Sequence, residues 1–354
     1  MKKGLSLLLL AFAYLPAFTC TTFFISKDGQ LVFGRNYDWI TDAGMVCTNL
    51  KSISKTSMPT QHGSTISWVS KYGSVTFNQY GKEFPTGGMN EKGLVVELMW
   101  LDETRYPSAD ERPAIGVLQW IQYQLDNCST IDEVIATDKK LRIAAIGTTP
   151  LHYLIADTTG NAATIEFLDG KMVVHKGNDL SIPVLTNSVY AESVKTFNKT
   201  AATAGTTSFA DGNNSLERFE QACNMVKQFK AATNDKPATD YAFDILSKVA
   251  QGSFTKWSIV YDLTNKRILF KTERFKDIKT VSFSAFDFNC TATAKAWDMN
   301  QKSPGDVSRK FENFTLAGNQ RLVETAFRES KSQIHVSEKI KESVWQYPSG
   351  VSCR

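Results

Sequence analysis

The strongest constraint on this chain is a cysteine that opens a hairpin. From Cys20 the sequence runs Cys-Thr-Thr-Phe-Phe-Ile-Ser, turns at Asp28-Gly29, and returns as Leu-Val-Phe-Gly-Arg-Asn. Two β-rich runs about an Asp-Gly pair are a strong hairpin signal, because such a pair accepts the positive φ angles that match strand twist. The residues ahead of Cys20 read differently. Lys2 and Lys3 precede an apolar run from Leu5 to Phe12, and Pro16, Ala17 and Thr19 follow. That layout predicts a secretory signal peptide over 1–19, cut just before Cys20, with an apolar run too short to span a bilayer. The remainder, 20–354, is expected to form a single domain in the periplasm or outside the cell, since no Pro- or Gly-rich linker divides it.

Composition narrows the function classes. At 42% hydrophobic and 21% charged residues, the chain sits in the range of soluble, core-forming proteins. Its formal charge is +4, and removing Lys2 and Lys3 with the leader leaves +2. With no Lys/Arg tract, the balance argues against nucleic acid or an anionic membrane as partner, and no later segment is long enough for an integral membrane span. Cys20, Cys47, Cys128, Cys223, Cys290 and Cys353 lack the paired spacing of zinc sites, and the four histidines are scattered. Export permits disulfides, but spacing does not decide how the cysteines beyond Cys20 pair. Cys223 falls on the apolar face of an expected helix and reads as simply buried.

Beyond the hairpin, strands are expected at 65–70, 74–78 and 93–100. A helix follows over 115–125, and Thr130-Ile-Asp-Glu133 reads as a capping box opening another. A second β block is expected at 152–157, 163–168 and 172–176, with a further strand at 184–187. Residues 198–214, rich in Ala, Thr, Gly and Asn, read as an exposed loop. From Ser215, taken as the N-cap, Leu216, Phe219, Cys223, Val226 and Phe229 recur at helical spacing. A helix over 237–250, strands at 257–262 and 267–272, and a helical stretch from about 319 complete the reading. Strands that cluster around paired helices suit two packed sheets covered by helices, an α+β class, rather than alternating βαβ units.

A cysteine at a chain's N-terminus unites nucleophile and base in one residue. The thiol must lose its proton to attack, with a free pKa near 8.5, and an α-amino group titrating near 7.7–8.0 can take it. An internal cysteine has an amide there and lacks that base. The returning strand carries Arg35 and Asp38 beside Cys20, where Asp38 can accept from the amine and Arg35 can favour thiolate over thiol. The bland alternative for this pair is a surface ion pair.

These residues resemble the choloylglycine hydrolase family, the N-terminal nucleophile hydrolases that include bile salt hydrolases and penicillin V acylases. The resemblance starts at Cys20-Thr21 and continues through Phe33-Gly34-Arg35-Asn36-Tyr37-Asp38-Trp39. It recurs at Gly88-Met89-Asn90-Glu91-Lys92-Gly93-Leu94, at Leu185-Thr186-Asn187-Ser188, at Glu217-Arg218-Phe219 and at Thr255-Lys256-Trp257-Ser258. It implies a four-layer αββα sandwich of two antiparallel sheets covered by helices. It also implies that Cys20 is nucleophile and base, that Arg35 and Asp38 tune and orient it, and that Arg218 completes the charged site. Asn187 would donate its side-chain amide to the oxyanion, and the backbone N–H of Trp100 would be the second donor. This hydrolase reading implies no metal or organic cofactor. The implied substrate is a small-molecule amide with a bulky apolar acyl group, conjugated bile salts or penicillin V first, with acyl homoserine lactones and fatty acyl amines as alternatives. Tyr37, Trp39, Trp68, Phe84 and Trp100 are candidate pocket walls. A homo-oligomer is within what the family allows, although the stretch between Asn187 and Arg218 is shorter than the insertion that contributes to the tetramer of Gram-positive members.

Two readings compete with an active hydrolase. A cysteine directly after a leader is also the lipoprotein layout, but Ala17 and Thr19 stand where a lipobox prefers Leu and Gly or Ala. A degenerate family member that binds ligands without turnover is the other.

Overall fold

The computed structural model describes residues 19–60, 63–144, 149–202, 214–230 and 236–354; the expected leader, Thr19 apart, lies outside them. Strands Thr21–Lys27 and Gln30–Asp38 pair in register from Thr21 opposite Asn36 to Lys27 opposite Gln30. The turn between them is tight because Asp28 and Gly29 both take positive φ, 52° and 75°. This hairpin sits inside a seven-stranded sheet. Val184–Leu185 flanks it on one side, and Thr255–Asp262, Arg267–Thr272, Lys279–Ser282 and Gly305–Asp306 follow on the other. Only the last pair in that order is parallel.

The second sheet has nine strands, in the order Lys171–Lys176, Ala162–Leu168, Leu151–Ala156, Val95–Trp100, Pro85–Asn90, Ser74–Asn78, Met45–Asn49, Lys295–Asp298 and Glu312–Asn313. The inner faces of the two sheets meet through aromatic edges such as Phe77 against Tyr261 (6.1 Å) and Phe77 against Phe270 (5.5 Å). Helices Ser215–Gln228 and Ala238–Lys248 pack on the first sheet, and Val117–Asn127 packs on the second. This is the αββα order that the resemblance implies. Both central sheets are covered on both faces, which is why their strands read as continuous apolar runs rather than as alternating ones.

Most expected elements are present with shifted ends. Helix Ile131–Ala136 opens with the Thr130/Glu133 capping box, both hydrogen bonds formed. Two boundaries differ. Residues 198–202 belong to helix Tyr190–Ala202 rather than to a loop, and 203–213 lie outside the described residues. Tyr190, Val194 and Phe197 supply the helical stripe that the Ala/Thr-rich composition downstream concealed. The N-cap of the next helix is Asn214, whose side chain accepts from the Leu216 N–H at 2.9 Å. Ser215 is instead inside the helix, and its hydroxyl accepts from the Asn187 N–H at 2.9 Å. Strands Met45–Asn49 and Pro85–Asn90 were not among the expected elements; in the second, Pro85, Gly87 and Gly88 are residue types depleted in strands.

A disulfide joins Cys290 to Cys353, the partition that spacing left open, while Cys20, Cys47, Cys128 and Cys223 are free and buried. It fastens the C-terminal strand Ser352–Cys353, which pairs with Ile53–Thr56.

Candidate active site

The hairpin register delivers Cys20 to the centre of the molecule. One residue before the first paired position, Cys20 is 4% exposed and its Sγ lies 3.9 Å from the backbone oxygen of Asp38. Around it Asp38, Trp100, Asn187 and Arg218 form one connected cluster, while Arg35 reaches the thiol only through its charge. The Arg218 guanidinium donates to the Cys20 carbonyl, to Thr21 Oγ1 at 2.7 Å and to Asn187 Oδ1 at 3.1 Å. Because its oxygen faces Arg218, the Asn187 amide points its Nδ2 the other way, donating to the Trp100 carbonyl at 2.8 Å. A second Nδ2 hydrogen remains on that amide group. Ser215 holds the same segment from below through the Asn187 backbone N–H and through Ser188 Oγ at 2.8 Å.

Arg35 and Asp38 are both fully buried, and they do not pair with each other. Arg35 faces across the sheet interface. It forms an ion pair with Glu97, donates to the carbonyls of Thr86 at 3.2 Å and Leu98 at 3.0 Å, and lies over the Tyr37 ring at 4.5 Å. Burial is the largest single influence and opposes its charge, but Glu97, Cys20, Tyr37 and Tyr261 together hold the guanidinium above its ordinary pKa. Glu97 was absent from the sequence-level candidates. Its signal was present: a lone carboxylate in the apolar strand Val95–Trp100 has to be paired if it is buried. Burial lifts its pKa to about 7 against the pull of Arg35, and the Tyr261 hydroxyl donates to its other oxygen. The strand opposite accommodates it at Gly87, where a Cβ would collide with the Glu97 carboxylate.

Asp38 differs from Glu97 in its partners: Thr255 is the side-chain donor nearest its carboxyl, and neither oxygen completes a full hydrogen bond. Burial pushes its pKa up to about 7, opposed first by the charge of Arg218. Thr255, opposite it in the sheet, eases the carboxyl downward without completing a hydrogen bond. The Cys20 thiol is also raised by burial, and Arg35 is the strongest influence in the other direction, with Asp38 acting against it. Thr19 precedes Cys20 here, so the residue-20 nitrogen is a peptide amide.

Cys20 opens into an apolar cavity of about 130 Å³. Tyr37, Trp39, Phe84 and Trp100 line it, as expected, and Trp39 and Trp100 lie 6.2 Å apart. Trp68 does not. It packs edge-on against Tyr123 at 5.3 Å and donates to Asp126 at 2.8 Å, within the buried Lys55–Asp126–Glu83 charge cluster. Among the described residues no His/Cys/Asp/Glu group could hold a metal ion, and no helix is long and apolar enough to cross a membrane.

Comparison with known proteins agrees with this geometry. The chain is 29% identical over 247 residues to penicillin V acylase of Pectobacterium atrosepticum, covering 63% of this chain and 64% of that one. It is 29% identical over 178 residues to bile salt hydrolase/transferase of Clostridium perfringens, covering 46% and 51%. The matched stretches thus span less than two thirds of the length of these curated relatives. Among solved structures, penicillin V acylase of Agrobacterium tumefaciens superposes with a TM-score of 0.73 at 24% identity, over 84% of this chain and 98% of that one. A variant of conjugated bile acid hydrolase from Clostridium perfringens does so with a TM-score of 0.68 at 20% identity, over 79% and 97%. Both share this fold. A family model described as linear amide C–N hydrolases, choloylglycine hydrolase family, matches residues 20–295, and the chain belongs to that family.

Proposed function

We propose that the chain is an exported cysteine amidase, activated when the leader is removed before Cys20, that splits a bulky apolar acyl group from an amine. One observation carries this reading: the buried Asp38 carboxylate, without a completed hydrogen bond, beside the residue whose nitrogen becomes an amine on cleavage. An α-ammonium at residue 20 supplies that hydrogen bond and a charge, and stabilises the carboxylate that burial disfavours.

The steps follow from the side chains in place. The Cys20 α-amine accepts the thiol proton, and Arg35 and Arg218 favour the resulting thiolate. Sulfur attacks the acyl carbonyl carbon, forming the C–S bond and moving the carbonyl electron pair to oxygen. Asn187 Nδ2 donates to that oxyanion, with its orientation fixed by Arg218 and Trp100. The family resemblance adds the Trp100 backbone N–H as second donor. The C–N bond then breaks as the α-ammonium returns its proton to the leaving amine. Water, deprotonated by the same amine, attacks the thioester carbon; the C–S bond breaks, the carboxylic acid leaves, and the ammonium proton returns to the Cys20 sulfur.

The names of the relatives, an acylase for penicillin V and a hydrolase for bile salts, make these two amides the first substrates to try. The test uses protein whose intact mass starts at Cys20 and carries no diacylglycerol, incubated with an amide panel. Release of the amine by this protein, and none by Cys20→Ala, supports the reading; no release from any amide overturns it.

A further inference from the structure

One wall of the cavity comes from a part of the chain outside the family match. Residues 20–295 carry the match, whereas Phe327, Ile334, Val336, Ile340 and Val344 line the same cavity as Cys20. They belong to helices Leu316–Glu329 and Glu338–Gln346 and the turn between them. These helices form a small core of their own with Met58, Tyr80 and Phe84.

Several contacts fix this helical pair to the body. Asn319 accepts from the Lys82 backbone N–H at 2.8 Å and donates to the Trp345 carbonyl at 2.9 Å. The Tyr347 hydroxyl donates to the Thr56 carbonyl at 2.7 Å, and Tyr80 packs tilted against Phe327 at 4.8 Å. The Cys290–Cys353 disulfide anchors the end of the chain just beyond. None of the side chains in this pair hydrogen-bonds to Cys20, Arg35, Asp38, Asn187 or Arg218, so the wall stands apart from the reacting groups.

We propose that this C-terminal helical pair sets which acyl group the enzyme accepts, and that it favours one aromatic ring or an unbranched alkyl chain of medium length over a fused steroid. The inference rests on the amidase reading above and adds the substrate class. Its basis is size and chemistry. The cavity of about 130 Å³ is comparable to an engineered apolar cavity of about 150 Å³ that holds benzene. Its lining is aromatic and aliphatic, which suits an acyl group without charge. A rigid four-ring body exceeds that space unless the wall moves, whereas a flexible chain can fill it from the Trp39–Trp100 side.

The test compares Ile334→Trp and Ile340→Ala with the wild type, all starting at Cys20. Both isoleucines are only partly buried, so folding tolerates the changes, and circular dichroism checks it. The substrates are N-acyl p-nitroanilides from butyryl to dodecanoyl, with phenoxyacetyl and cholyl members. The wild type is expected to prefer phenoxyacetyl or a medium chain over cholyl. In Ile334→Trp the ratio of kcat/KM for dodecanoyl to that for butyryl should fall about tenfold or more, the discrimination a methylene-scale change in an apolar pocket produces. Ile340→Ala should move the ratio the opposite way. Equal changes across the whole series, or a wild type that prefers cholyl, overturn the proposal. Titrating the free acids into the Cys20→Ala protein, read by tryptophan fluorescence, separates the two readings. A length preference that shifts with the wall variants supports the wall even if no amide is cleaved, and its absence refutes it.

Discussion

Asp38→Asn should change sign in its effect on stability when the chain is cleaved before Cys20. In the chain that retains Thr19, the Asp38 carboxyl is fully buried without a completed hydrogen bond and has its pKa raised from 3.8 to about 7. A folded-state pKa above the unfolded one means that the native state holds more protons in that window. Stability contributed by the protonated form is present below the lower value and lost as pH rises towards the upper one. At about 1.36 kcal/mol per pH unit, the loss amounts to about 4 kcal/mol by neutral pH. Asparagine keeps the shape and removes the charge, but leaves polar atoms unsatisfied at a cost of about 1–3 kcal/mol. Asp38→Asn should therefore stabilise the uncleaved chain by roughly 1–3 kcal/mol near pH 8 and give no gain near pH 4. In protein that starts at Cys20, the carboxylate gains an ammonium partner, and removing one member of a buried pair costs about 3–5 kcal/mol. The assay is urea unfolding of both proteins and their Asn variants across this pH range, compared at constant m-value. A destabilising effect of Asp38→Asn in the uncleaved chain at neutral pH, or the same sign in both forms, refutes the reasoning.

Asn187→Ala should lower kcat by roughly 10²–10³-fold, the typical loss for one oxyanion donor, and leave KM little changed. Stopped-assay kinetics would check this, and a pure rise in KM would assign Asn187 to substrate binding instead. Gly87→Ala should displace Glu97 and with it Arg35, because the new methyl occupies the carboxylate's place. A drop in thermal midpoint together with a lower kcat is expected, and wild-type values in both would show that this packing is dispensable. Cys20→Ser should lose most turnover while retaining the fold, since a hydroxyl is far harder to deprotonate than a thiol; near-wild-type rates would contradict the thiolate step.

Local signals in the sequence located the fold well. The Asp28-Gly29 turn, the Thr130/Glu133 capping box and the helical stripe from Leu216 each depend on residues close together in the chain, and each stands in the structure. Where sequence reading fell short, the cause was long-range. Pro85, Gly87 and Gly88 carry no strand signal, yet they form a central strand whose glycine makes room for a carboxylate from its neighbour. Arg35 and Asp38 look like a surface pair when only their separation is known. Cross-sheet packing sends Arg35 to Glu97 and leaves Asp38 without a completed hydrogen bond. Trp68 carried the same aromatic signal as Trp39, but only tertiary placement separates a pocket wall from a partner of Asp126. The contribution of residues 327–344 to the cavity had no local signature, since it arises from a helical pair that meets residues far away in the chain, such as Tyr80 and Phe84.

The central claim is that a free Cys20 turns this cavity into an amidase. Its most direct test is mass spectrometry of an amide panel incubated with protein of verified mass starting at Cys20, beside the same protein carrying Cys20→Ala. The panel holds glycine- and taurine-conjugated bile salts, penicillin V, acyl homoserine lactones and fatty acyl amides. The account predicts release of an amine and its matching carboxylic acid by the first protein and by that one alone. An intact panel with the first protein, or equal release by both, would contradict it.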